Sequence, residues 1–80
     1  MSASECLKIA GEAAEVLEEM GFTAVARLRD GIVTLECWDR GPGPIRMVRQ
    51  VVDDVRVSKT TLARTCATAL RTSAGPANLS

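Results

Sequence analysis

The sequence predicts a small, single-domain α+β protein in the order helix, strand, strand, helix, helix. Two observations carry this prediction: apolar residues recur every three or four positions over residues 2–20, and apolar and polar residues then alternate on both sides of Asp30-Gly31. With 80 residues, 46% of them apolar and 25% charged, the chain has the composition of one globular domain with a small core. We expect that domain to span residues 1–72 and to leave 73–80 as a flexible tail.

The first helix is predicted from Ser2 to Met20. Ser2 and Glu5 fit a capping box at its start, with Ser4 as an alternative cap, and Gly21 fits a left-handed cap at its end. Acidic residues occupy the side of this helix away from a single apolar stripe. The stripe consists of Cys6, Ile9, Ala10, Ala13, Val16, Leu17 and Met20. This pattern is typical of a helix that packs one side on a core.

A β-hairpin follows, with strands over residues 22–29 and 32–38. Asp30-Gly31 suits a two-residue type I′ turn, because both of its positions need a positive φ. The resulting register places three apolar pairs on one face: Leu28 with Val33, Ala26 with Leu35 and Ala24 with Cys37. Trp38 falls at the open end of the opposite face. Residues 30–35 are also similar to the hairpin of BON domains, a similarity that any Asp-Gly hairpin would show.

Two more helices are predicted after a connector at residues 39–44, which contains Gly-Pro-Gly-Pro. Residues 45–55 carry valines at helical spacing, at positions 48, 51, 52 and 55. Ser58 is suited to cap a third helix over residues 59–71. A short strand near Val55 to Val57 is the alternative for this region.

The two halves of the chain carry opposite net charges. Residues 1–40 hold eight acidic and four basic residues, whereas residues 41–80 hold two acidic and six basic ones. Trp38 either covers the edge of the core or is a candidate partner-binding residue, because large aromatic side chains often dominate interface energies. The acidic face of the first helix adds the other candidates: Glu12, Glu15, Glu18 and Glu19. Attraction between the unlike poles of two copies would also favour a homodimer.

Composition excludes several classes of function. The chain has no histidine, and its three cysteines stand about thirty residues apart without a CxxC pair, so we predict no metal site and no cofactor. It has no imidazole base and no glycine-rich phosphate loop, so we predict no catalytic residues and no enzymatic activity. Without a signal peptide or an apolar run of membrane-spanning length, the expected location is the cytoplasm, with no membrane partner.

Residues 57–64, Val-Ser-Lys-Thr-Thr-Leu-Ala-Arg, resemble the turn and recognition helix of helix-turn-helix repressors of the LacI type. The preceding residues partly follow the same pattern, with Val51 and Val55 at positions that the motif fills with core residues, so the resemblance covers about twenty residues. The chain departs from the family pattern at three positions: Val52, Arg56 and Thr65. The resemblance implies a DNA-binding surface in which Lys59, Thr60 and Arg64 approach the major groove. Arg46 and Arg49 would extend the same basic surface.

The sequence therefore favours a binding protein over an enzyme. The leading hypothesis is a small regulatory or inhibitory protein that occupies a surface on another protein. Phage and mobile-element accessory proteins, including anti-CRISPR inhibitors, share this size and lack of motifs. Such an inhibitor would cover the basic groove of a nucleic-acid-binding complex with its acidic helix. A helix-turn-helix DNA-binding transcriptional regulator is the alternative.

Overall fold

The computed structural model describes residues 2–39 and 46–73, which form two helices and a three-stranded antiparallel sheet. In chain order the elements are α1 (Ala3–Glu19), β1 (Phe22–Arg29), β2 (Ile32–Asp39), β3 (Met47–Val51) and α2 (Lys59–Ser73). The predicted α+β class is confirmed, together with the helix, strand, strand order at the start. Most of the predicted connector and nearly all of the predicted tail lie outside the described residues.

Both ends of α1 have the predicted caps. The Ser2 hydroxyl accepts a hydrogen bond from the Glu5 backbone N–H at 3.2 Å, and the Glu5 carboxylate accepts one from the Ser2 N–H at 3.4 Å. Gly21 follows the helix with a φ of +99°, a conformation that favours glycine. These caps satisfy backbone groups that the helix itself leaves unpaired, and they fix where the chain turns into β1.

The hairpin of β1 and β2 has the predicted register along its whole length. Asp30 and Gly31 have φ values of 55° and 75°, as a type I′ turn requires. Arg29 lies opposite Ile32 beside the turn, and Thr23 lies opposite Trp38 near the other end. The register therefore assigns alternate side chains of both strands to defined faces of the sheet.

Residues 47–51 form a strand, so the predicted second helix is wrong. β3 pairs with β2 in antiparallel register, with Val51 opposite Thr34 and Met47 opposite Trp38. The valines of this region are β-branched and suit a strand, and β2 offers them a row of unpaired backbone groups. Only Val48 and Val51 of the four valines belong to the strand, and Val52 and Val55 lie beyond its end. The helical spacing of the four valines therefore does not correspond to a helix. The alternative strand at residues 55–57 is a turn leading to α2.

Both helices pack on one face of the sheet, with β2 as its central strand. Ser58 caps α2 as predicted, since its hydroxyl accepts a hydrogen bond from the Thr61 N–H at 3.1 Å. The largest fully buried side chains join the two layers and are Leu17, Leu35, Leu70, Cys37 and Cys66. The helices thus cover one face of the sheet and leave the other available.

Candidate functional site

The sheet face turned away from α1 and α2, here called the open face, is the candidate site. No helix or strand within residues 2–39 and 46–73 packs against it. The strand registers place the following side chains on this face: Thr23, Val25, Arg27, Arg29, Ile32, Thr34, Glu36, Trp38, Met47, Arg49 and Val51. The open face therefore combines apolar side chains with three arginines.

Large apolar side chains of the open face are exposed on β2 and β3 and half-buried on β1 and β2. Ile32 and Val51 are 55% exposed and Met47 is 44% exposed. Trp38 lies beside Met47 as a cross-strand neighbour and is half-buried, as is Val25. Contiguous apolar side chains on a protein surface mark interaction sites more often than single ones do. The registers thus divide these side chains between the two ends of the open face, and they place Trp38, predicted to bind a partner, in one apolar group with Met47 and Val25.

Glu36 lies at the centre of the open face and is buried between two arginines. Its Oε1 accepts a hydrogen bond from Arg27 Nε at 3.0 Å, and its Oε2 accepts one from Arg49 Nε at 2.8 Å. The Glu36 side chain is only 7% exposed, whereas those of Arg27 and Arg49 are 58% and 59% exposed. The carboxylate thereby orients two guanidinium groups at the protein surface. These three residues are called the arginine cluster below.

The hydrogen bond from Arg27 holds the pKa of Glu36 below its ordinary value of 4.5; burial opposes this effect and Arg49 adds to it. The folded protein therefore binds this proton less readily than the unfolded chain. The stabilisation is complete at pH values well above 4.5 and is lost as the pH falls through the lowered pKa. We expect the melting temperature to decrease as the pH is lowered from about 6 to about 3.

Thermal unfolding of Glu36→Gln across the same pH range tests this expectation. The variant should show a smaller fall than the parent protein, because it lacks the titrating carboxylate. Asp54→Asn is the matched control. The pKa of Asp54 is also lowered by its hydrogen bond from Arg56, but the Arg56 side chain is 87% exposed, so solvent weakens the pair. An equal effect of both variants would contradict the assignment to Glu36.

An open depression of about 430 Å³ lies over the arginine cluster. Arg29, Asp30, Ile32 and Thr34 line it as well. Three arginines thus face two carboxylates, and both oxygens of the buried one already accept hydrogen bonds from arginine. The depression carries net positive charge and suits an anionic group.

The acidic residues predicted to bind a partner lie away from the open face. They belong to the side of α1 opposite the stripe that packs on the core, and all are exposed apart from half-buried Glu12. The set consists of Glu12, Glu15, Glu18 and Glu19. The sheet separates them from Trp38, so the predicted partner-binding residues form two surfaces rather than one. No ion pair within the described residues involves the four glutamates.

The basic residues predicted to contact DNA do not form one surface. Arg46 pairs with Asp39 beside the sheet, and Arg49 belongs to the open face. Lys59, Thr60 and Arg64 are exposed on α2. The element before α2 is a strand, so the described chain does not provide the preceding helix of a helix-turn-helix pair. A DNA-binding role for the α2 residues stays a prediction from sequence.

Two buried thiols meet between the sheet and α2. Cys66 donates a hydrogen bond from its Sγ to Gln50 Oε1 at 3.2 Å. Burial raises the pKa of Cys37 and raises the pKa of Cys66 to about 12, to which the neighbouring Cys37 also contributes. Both thiols are thus neutral at physiological pH. Cys6 is buried as well, on the apolar stripe predicted for α1.

Comparison with protein-family models, curated proteins and solved structures gives no match for this chain. Among residues 2–39 and 46–73, no group of three or more His, Cys, Asp or Glu side chains is placed to hold a metal ion. Neither described helix is long and apolar enough to cross a membrane. The candidate site accordingly stands on the geometry of the open face.

Sequence reasoning placed Trp38 on the correct face but missed the arginine cluster. Arg27 and Glu36 are diagonal neighbours in the predicted hairpin, and that relation was a usable signal. Arg49, however, was assigned to a helix. Only the third strand brings Arg49 opposite Glu36 and buries the carboxylate between two guanidinium groups.

Proposed function

We propose that this chain is a non-enzymatic, cytoplasmic regulatory or inhibitory protein that binds another protein through the open face. The observation that supports it is the group of exposed apolar side chains around the arginine cluster, on a sheet face that no described element covers. Aromatic residues, methionine and arginine are enriched at protein interfaces, whereas lysine and glutamate are depleted. The open face matches this composition in Trp38, Met47 and three arginines and in its lack of lysine, and its one glutamate, Glu36, is buried.

The acidic side of α1 offers a second docking surface. Its glutamates have no ion-pair partner within the described residues, so their full charge is available to a basic surface. Inhibition of a nucleic-acid-binding complex, as by anti-CRISPR proteins, would use this side of the molecule. The open face carries the apolar contacts that this side lacks, and it is therefore the preferred site.

Site-specific photo-crosslinking tests the proposed site in the full chain. A photoreactive amino acid is placed in turn at Met47 on the open face, at Glu15 on α1 and at Arg64 on α2, all of which are exposed. We expect a protein adduct in the native host from position 47 and much less from the other two. Each variant is first checked for an unchanged thermal unfolding transition.

The competing functions give different adducts in the same experiment. A protein adduct from position 15 alone would indicate that the partner binds the acidic side of α1 and not the open face. A nucleic-acid adduct from position 64 alone would support the DNA-binding alternative. No adduct at position 47 would overturn the proposed function.

Self-association is a further outcome, in which the adduct joins two copies of this chain. β1 has no neighbouring strand on its outer side within the described residues, so two copies pairing along β1 would extend the sheet. Sedimentation at several protein concentrations distinguishes a dimer from a monomer. A monomeric mass throughout would reject the homodimer while leaving binding of another protein intact.

A further inference from the structure

We propose that the arginine cluster is a carboxylate-binding site and that the open face takes an acidic, partly apolar segment of a partner protein. This inference rests on the proposed function and specifies the chemistry of the partner. Its ligand group is the side chain of an aspartate or glutamate held above Glu36, between Arg27 and Arg49.

The hydrogen bonds of Glu36 leave the outward donors of both arginines available. Each guanidinium donates to Glu36 through its Nε, at 3.0 Å from Arg27 and 2.8 Å from Arg49. Within residues 2–39 and 46–73 the terminal amino groups of both side chains make no hydrogen bond, and the planar arrangement of these donors matches a carboxylate. Because the buried carboxylate already fixes both guanidinium groups, a ligand loses less side-chain entropy on binding them.

The charge around the depression favours an added anion. Arg29 lines the depression and forms no ion pair within residues 2–39 and 46–73, although Asp30 lines it as well. In the same part of the chain, Arg27 and Arg49 share one ion-pair partner, Glu36. Thr34 also lines the depression, and a threonine side chain can donate a hydrogen bond. An entering carboxylate thus meets more positive than negative charge.

The surroundings of the arginine cluster favour a protein segment over nucleic acid. Along β2, Trp38 and Thr34 lie two residues from Glu36 on the same face, next to Met47 and Val51 of β3. Residues with this spacing are about 7 Å apart in a strand. A partner strand with acidic and apolar side chains alternating along one face matches this spacing. A phosphate backbone would leave the apolar side chains without contacts.

Titration with a synthetic peptide tests the inference. The probe is an acetylated, amidated peptide of the repeating sequence Leu-Thr-Glu-Thr, and the matched peptide carries Gln in place of Glu. Trp38 is the single tryptophan of a chain without tyrosine, so its emission reports on the open face alone. We expect saturable binding of the Glu peptide, with shifts of the Arg27 and Arg49 Nε–H signals in NMR spectra. The Gln peptide should bind at least about tenfold more weakly.

Variants separate the arginine cluster from general charge. Arg49→Gln should weaken binding of the Glu peptide by about tenfold or more, whereas Arg64→Gln on α2 should not change it. Thermal melts of both variants establish that they fold. Equal affinity for the Glu and Gln peptides would overturn the inference, as would saturable binding of an RNA or DNA oligonucleotide at the same signals without peptide binding. An adduct at position 47 in the host would still support the proposed function in either case.

Discussion

Leu35→Ala is expected to lower the free energy of unfolding by about 2–5 kcal/mol. Leu35 is fully buried at the middle of the central strand, where both helices meet the sheet. Its removal loses apolar burial and leaves a cavity that the neighbouring side chains only partly fill. Small domains have only about 5–15 kcal/mol of stability in total, so this single change removes a large fraction of it. Urea denaturation measures the loss.

Ile32→Ala in the same strand is the matched control. Ile32 lies on the open face and is 55% exposed, so its truncation should change the free energy of unfolding by only about 0.5 kcal/mol. The two variants delete aliphatic side chains of the same size from opposite faces of β2. A loss at Ile32 as large as that at Leu35 would mean that the open face is covered in the folded protein. That result would contradict both the fold and the candidate site.

Ala10→Leu is expected to destabilise the protein by about 1–3 kcal/mol, although leucine is a good helix former. Ala10 is fully buried on the side of α1 that faces the core, and several of its buried neighbours on the two helices are also alanines. These small side chains let the helices and the sheet approach closely. A leucine there must displace packed atoms, because protein interiors contain few voids of its size.

Thermal unfolding measures this second effect, at about 4–8 °C per kcal/mol for a domain of this size. Glu15→Leu is the matched control, since Glu15 is exposed on the outer side of the same helix. It should leave the melting temperature nearly unchanged. A stabilised Ala10→Leu protein would show instead that a void lies beside α1.

The hairpin was predictable from sequence because its register depends on local chemistry. Asp30-Gly31 fixes the turn, and the turn then determines every cross-strand pair as far as Trp38. The caps at Ser2 and Ser58 were predictable for the same reason, since each involves residues only three positions apart. Local interactions of this kind do not depend on the rest of the fold.

β3 was not predictable in the same way, because its pairing partner lies beyond the connector. From their spacing alone, Val48, Val51 and Val52 fit a helical stripe. They fit equally well a strand that ends at Val51, with Val52 one residue beyond its end. Pairing with the free edge of β2 decides for the strand, with Arg49 opposite Glu36 and Val51 opposite Thr34. Just beyond the end of β3, the Val52 N–H donates a hydrogen bond to the Val33 carbonyl at 2.9 Å. The arginine cluster depends on that pairing, and so the candidate site could be predicted only in part.

The arrangement of α1 over the sheet separates the glutamates of this helix from the three arginines of the open face. The glutamates point outward from the helical layer, and Arg27, Arg29 and Arg49 extend from the opposite side of the sheet. Even the shortest dimension of the domain is 20 Å, well beyond the Debye length of about 8 Å at physiological salt. Exposed charges on one side are therefore largely screened from a molecule that approaches the other side. The net charge of the chain is zero, but each surface keeps its own local charge. Salt should therefore weaken the binding of a charged partner at each surface independently.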